Sequence, residues 1–170
     1  TMKFLTEMIN ERIPRTIDEV DEYLTTNEII QSRSHGVGYL SREDAINYSA
    51  AGPVLRGSGV AYDVRRADPY SIYPELDFDI AVEYDGDMYS RYMVRLREMR
   101  ESVRILKQLL PRLEYTKGEP VNKNNAAYSS KVPLGEAYGR VENGKGELGY
   151  YVVSAGDKRA TANPWRYHEI

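Results

Sequence analysis

Two short runs of this chain hold side chains able to do chemistry. In LRGSG, Arg56 precedes Gly57, Ser58 and Gly59, so a guanidinium stands beside a backbone open to conformations denied to other residues. Asp63, Arg65, Arg66, Asp68, Pro69 and Tyr70 follow. Arginine holds carboxylates and polar cofactor groups in bidentate geometry, so this run reads either as a partner-facing or cofactor-facing loop or as an internal ion-pair network pinning that loop. Farther on, Asp87, Arg91, Arg95, Glu98 and Ser102 recur at helical spacing. They form a polar stripe about 100° around a helix from its apolar stripe. Either they make local ion pairs on a boundary face, or they clamp the preceding loop or meet another subunit.

Other chemistries lack material. Cysteine is absent, which removes disulfides, thiolate metal sites, iron–sulfur ligation and a cysteine nucleophile. His35 and His168 are the two imidazoles, too far apart in sequence to suggest a catalytic triad or a histidine metal site. His35, just before Gly36, reads as a favourable cation at a helix C-terminus. Asp77 and Asp79 share one face of an expected strand, with no second cluster to complete a metal site. No GxGxxG opens a helix and no GK[ST] occurs, so neither NAD nor ATP is expected on this chain itself. A net charge of -3 gives no general attraction for nucleic acid. Fifteen tyrosines against two phenylalanines point to cores and contact surfaces whose rings also need hydrogen-bond partners.

These residues need elements to hold them. Phe4, Leu5, Met8, Ile9, Ile13, Ile17, Val20 and Leu24 predict an amphipathic helix from Met2 to Leu24, or two helices meeting near Pro14. Asn27 is placed to cap a helix over Glu28 to Arg33, and Ser41 to open a two-turn helix that Gly52 and Pro53 end. Residues 53–86 predict a long functional loop with one short strand around Phe78 to Val82. Asp87 caps the strongest helix, whose expected core stripe is Tyr92, Leu96, Met99, Val103, Leu106 and Leu110. Residues 114–132 read as a linker. Glu136 to Glu142 and Glu147 to Ser154 flank a turn at Asn143-Gly144-Lys145-Gly146, where Asn-Gly favours a left-handed hairpin turn, and Trp165 to Ile170 are expected to supply a third strand. The fold class is α+β, a mainly helical portion over 1–113 followed by a small antiparallel meander over 133–170. No apolar run is long enough to span a membrane, so a soluble chain on a reducing side is expected.

LRGSGVAYDVRRADPYSIY, DFDIAV, GDMYSRYMVRLREMRESVRIL and GRVENGKGELGYYVVSAG, in that order, resemble the quinone-site subunit of respiratory complex I, the NADH:quinone oxidoreductase. That family is related to the large subunit of nickel-iron hydrogenases. The resemblance runs from about residue 13 to the end, weakly near 114–131. The signature GDxxxRxxVRxxEMxxS is carried by Gly86, Asp87, Arg91, Arg95, Glu98, Met99 and Ser102.

The resemblance implies a fragment of the hydrogenase-large-subunit-like fold, less than half of a family member. It implies a peripheral place on the cytoplasmic side of a bacterial or archaeal inner membrane, among the hydrophilic-arm subunits. Quinone would bind in a cavity shared with the subunit bearing the terminal iron–sulfur cluster, and this chain alone would bind no cofactor. The family's quinone ligands, a histidine and a tyrosine, lie in sequence outside this chain, so no catalytic residue carries over. What carries over as cavity or subunit-interface material is Arg56, Gly57, Ser58, Gly59, Asp63, Arg65, Pro69, Tyr70, Asp87, Arg91, Arg95, Glu98 and Ser102. Two other readings remain open, a non-catalytic docking domain and the large subunit of a membrane-bound hydrogenase, which holds nickel through cysteine pairs.

Overall fold

A computed structural model describes residues 2–115, 118 and 133–156. The N-terminal arm is helical without a break from Met2 to Thr25: α1 (Met2–Glu7), a π turn (Met8–Arg12), α2 (Ile13–Val20) and a second π turn (Asp21–Thr25). Of the two expected forms, the single helix is the one observed. The wider π turn immediately before Pro14 accommodates the missing amide and the ring that would otherwise clash with the preceding turn.

Asn27 accepts hydrogen bonds from the Ile29 and Ile30 amides and starts α3 (Glu28–Ser34). Ser41 accepts from the Asp44 amide and starts α4 (Arg42–Asn47). Both caps match expectation. Gly52 and Pro53 do not end α4, which stops at Asn47 with Tyr48 as its C-cap. They open α5 (Gly52–Gly57), with the proline in its first turn, where a missing amide costs nothing.

The expected long loop is therefore broken up. After α5 come α6 (Val64–Ala67), capped by the Asp63 side chain, and a 3₁₀ turn at Tyr73–Glu75. Phe78 to Val82 is extended but is not a strand. Its backbone meets side chains of the long helix α7 (Met88–Tyr115) and, at the Phe78 carbonyl, Arg66 of α6, where a strand would meet a neighbouring strand. The Asp77 amide donates to Gln108 Oε1 at 2.9 Å, the Asp79 amide donates to Glu101 Oε2 at 3.0 Å, and Arg97 donates to the Val82 carbonyl. Alternation of Phe78, Ile80 and Val82 resembles a strand because extended backbone sends side chains to alternate sides whatever pairs with it.

Helix α7 is the axis of the fold. Leu96 and Val103 pack on Ile17 of the arm, with Ile13, Val20 and Tyr92 around them. Ile105 packs on Leu76 and Phe78 from another side. Contact on several sides buries Ser90 and Val94, which lie off the expected stripe, while Met99 and Leu106 of that stripe are exposed. A separate cluster of Ala45, Ala50 and Leu55 joins α4 to α5.

β1 (Gly135–Asn143) and β2 (Gly146–Ser154) pair antiparallel, with Asn143 opposite Gly146 across the expected turn. The expected third strand, 165–170, and most of the linker lie outside the described residues. The hairpin turn sits on the start of α5. A Cβ on Gly52, at φ +62°, would lie 2.2 Å from the Lys145 carbonyl oxygen, so only glycine fits this junction.

Candidate functional site

Of the sequence-selected residues, Asp63, Arg65, Tyr70 and Glu98 gather around the buried guanidinium of a fifth, Arg56. Arg56, 1% exposed, projects from α5 between α7, the loop before α6 and strand β1. Its Nε donates to Glu98 Oε1 at 2.6 Å, and Nη1 and Nη2 both donate to Glu142 Oε1 at 3.1 Å. Nη1 also donates to the Tyr62 carbonyl at 2.7 Å and lies 4.0 Å from Asp63. A buried charge persists only when paired and hydrogen-bonded, and here all three nitrogens are used.

The carboxylates continue the network. Glu142 Oε2 accepts from the Val64 amide at 3.1 Å, so the hairpin holds the first turn of α6. Tyr70 Oη accepts from the Glu142 amide at 3.1 Å. Asp63 is held by Arg65 through Nε and Nη2, the latter at 2.6 Å. The Arg65 and Arg66 guanidiniums lie over the Phe78 ring. At the rim, Tyr62 Oη donates to Glu147 Oε2 at 2.9 Å, and Arg140 reaches Tyr62 Oη, Glu147 and Asp68.

These environments push neighbouring carboxyls apart. Burial acts to raise Asp63, but its hydrogen bonds and charge contact with Arg65 outweigh it and hold the carboxyl below its usual range. Burial raises Glu98 above its usual range, and the nearby negative charge of Glu142 adds to this against the pull of Arg56. Burial and the hydrogen bond to Glu147 raise the Tyr62 hydroxyl. Within this cluster Asp63, Glu98 and Glu142 face Arg56 and Arg65, an excess of one negative charge when all are ionised.

Other selected residues serve nearby. Gly57 lets α5 meet α7, since a Cβ there would fall 2.9 Å from Arg91 Cγ and 3.3 Å from the Arg91 amide nitrogen. Ser58, buried, donates to the Leu40 carbonyl at 2.9 Å. Asp87 caps α7 through the Ser90 amide and binds the Gly36 amide at 2.8 Å. Burial opposes ionisation there, yet these amides win and lower its pKa. His35 ends α3 as expected, its ring 4.0 Å from that of Tyr89. Arg91 donates to the Gly86 and Gly38 carbonyls, and Arg95, exposed, donates to the Arg91 carbonyl. Exposed Ser102 donates to the Glu98 carbonyl, and Pro69 is exposed beside the cluster. Asp77 and Asp79 both pair with Arg104.

Glu142, Arg140 and Glu147 complete the site, and sequence reasoning missed them. They lie in GRVENGKGELG, whose four charged positions on a hairpin, Lys145 the fourth, were the available signal. Among the described residues no group of three or more histidine, aspartate or glutamate side chains is arranged to hold a metal ion. Two surface recesses lie elsewhere: about 330 Å³ between α2 and α7, lined by Ile13, Ile17, Met99 and Leu106, and about 580 Å³ beside Arg100 and Arg104. The Arg56 cluster itself is filled by its own side chains.

The fold, an axial helix wrapped by a helical arm, is shared with a chain of a respiratory membrane complex. The structure superposes with TM-score 0.79 and 36% identity on a chain of the membrane-bound sulfane sulfur reductase, an archaeal respiratory membrane complex, covering 98% of this chain and 44% of that one. Residues 2–169 match the model of the respiratory-chain NADH dehydrogenase 49 Kd subunit, and the chain belongs to that family. The D subunit of NADH-quinone oxidoreductase from Dehalococcoides mccartyi strain 195 is 53% identical over 92% of this chain. The corresponding NADH-quinone oxidoreductase subunit of Roseiflexus sp. strain RS-1 is 48% identical over 91%. Each alignment covers 41% of the relative, so the chain spans about two fifths of the length of these curated relatives. No described helix is long and apolar enough to cross a membrane.

Proposed function

We infer that this chain is part of the quinone-reducing module of a proton-pumping NADH:quinone oxidoreductase. In that reading it forms one wall of the quinone cavity and an interface with the subunit that carries the terminal iron–sulfur cluster. It sits peripherally on the cytoplasmic side of the membrane. The observation that supports this is the match of residues 2–169 to the 49 Kd subunit family, whose similar members carry the name NADH-quinone oxidoreductase. The neighbour's cluster supplies the electrons. With no cysteine, this chain offers no thiolate to such a cluster; its residues position and orient. The Arg56 network fixes the loop 62–70 against α7, and with it any surface that loop presents.

One observation favours a second reading, a non-catalytic docking element. Arg56, Ser58 and Asp63 are used up inside the chain and are not aimed into an open cavity. A photoreactive ubiquinone analogue applied to the intact complex separates the two. Labels within residues 53–95 support the cavity wall. A complex that reduces quinone but is labelled on other chains alone supports docking.

A further inference from the structure

Helix α7 treats its arginines in two ways. Arg97, Arg100, Arg104 and Arg112 each pair with a carboxylate of this chain: Glu83, Asp21, Asp79 and Glu75 respectively. Arg91 and Arg95, one turn apart near the N-terminal end, have no carboxylate within ion-pair distance among the described residues and donate only to backbone carbonyls. Burial lowers the Arg91 pKa and the like charge of Arg95 adds to this, against the pull of the Asp87 carboxylate one turn back, which is engaged with the Ser90 and Gly36 amides. Two like charges one turn apart near the positive end of a helix repel each other, whereas the other α7 arginines are matched by carboxylates.

The surface around them exposes several apolar and aromatic side chains, with Asp85 the exposed carboxylate between Tyr84 and Gly86. Tyr84, 77% exposed, lies against the Gly57–Gly59 turn that also receives the Arg91 stem. Tyr39, 69% exposed, lies against Gly86, whose carbonyl Arg91 holds. Val37 and Met88, also exposed, are joined by a hydrogen bond from the Met88 amide to the Val37 carbonyl. Exposed tyrosine and methionine around unmatched arginine is the composition of the centre of a protein–protein interface.

We propose that Val37, Tyr39, Tyr84, Met88, Arg91 and Arg95 form a docking face for an acidic segment of a neighbouring subunit, whose carboxylates pair with the two guanidiniums. This deepens the interface part of the function proposed above and rests on it.

The test uses the assembled complex carrying Arg95→Lys, which keeps the charge and supplies an amine. A zero-length carbodiimide joins that amine only to a carboxylate in ion-pair contact. The expected result is a new cross-link from position 95 to an Asp or Glu of another chain, absent from the parent complex. No such link, or links confined to the same subunit, overturns the proposal, as would be seen if this face lay against lipid. Hydroxyl-radical footprinting of the unmodified complex gives an independent reading. Tyr84 should be oxidised several-fold more slowly than in the free subunit, and an equal rate in both overturns the docking face. Quinone turnover on the same sample separates the outcomes: parent turnover without a cross-link refutes only this face, whereas a cross-link with no quinone label refutes the cavity reading.

Discussion

Arg56 Nε lies 2.6 Å from Glu98 Oε1, and this contact ties the short helix α5 to the axial helix α7 across 42 residues of chain. The same guanidinium grips Glu142 of the hairpin, so one side chain joins three elements. Arg56→Met would keep much of the volume while leaving Asp63, Glu98 and Glu142 without their shared cation. Removing one partner of a buried ionic cluster costs about 3–5 kcal/mol. Chemical denaturation of the full-length subunit should show a loss of that size, and a loss under about 1 kcal/mol would mean the cluster is solvated.

The carboxylates should not be equivalent. Glu98→Gln keeps an oxygen acceptor for Arg56 Nε and removes the excess negative charge, so a change within about 1 kcal/mol is expected. Glu142→Ala removes the acceptor for both Arg56 and the Val64 amide, leaving two buried donors short, and should cost about 2–4 kcal/mol. Equal effects from the two variants would contradict this ordering.

Acid should affect the site in two stages of opposite sign. The Glu98 pKa is raised above its ordinary 4.5, so its contribution to stability is fully present below that value and is lost as pH rises through the raised one. The Asp63 pKa is lowered below its ordinary 3.8, so its contribution is present above 3.8 and is lost as pH falls through the lowered one. Thermal unfolding as a function of pH should therefore steepen downward below the ordinary aspartate range in the parent and flatten there in Asp63→Asn. Glu98→Gln should flatten the slope on the neutral side instead. Parallel profiles for all three proteins would show that neither group is perturbed.

Gly52→Ala tests the seat of the hairpin. The added methyl meets the Lys145 carbonyl at 2.2 Å and the backbone must keep a left-handed φ, so the junction should lose about 2 kcal/mol or more. Amide exchange across β1 and β2 should speed up while α7 stays protected. Unchanged exchange in the hairpin would place its anchor elsewhere.

Much of this is readable from local chemistry. Asn27, Ser41 and Asp87 are caps because a short side-chain acceptor sits just before an amide-rich first turn, and all three act so here. The turn over Asn143 to Gly146 and both strands follow from equally local signals. What stays hidden depends on distant partners. Phe78 to Val82 is held by Glu101 and Arg97, and nothing in its own alternation distinguishes a helix's side chains from a neighbouring strand. Helices α5 and α6 are too short to show a period, and only Pro53 and Asp63 mark their starts. The Arg56–Glu142 contact spans 86 residues, so the arginine is visible as a site residue but its partner is not. The exposure of Met99 and Leu106 has the same origin: an apolar stripe does not tell how far the N-terminal arm will cover it.

The most direct measurement of the central claim is quinone reduction by the assembled complex carrying Arg56→Lys. Lysine keeps the charge but cannot hold Glu98, Glu142 and the Tyr62 carbonyl together, so the loop 62–70 should shift against α7. The account predicts a fall in NADH:quinone turnover on the order of tenfold or more, with NADH oxidation by a soluble artificial acceptor unchanged. Parent-level quinone turnover in a fully assembled complex bearing this substitution would contradict it.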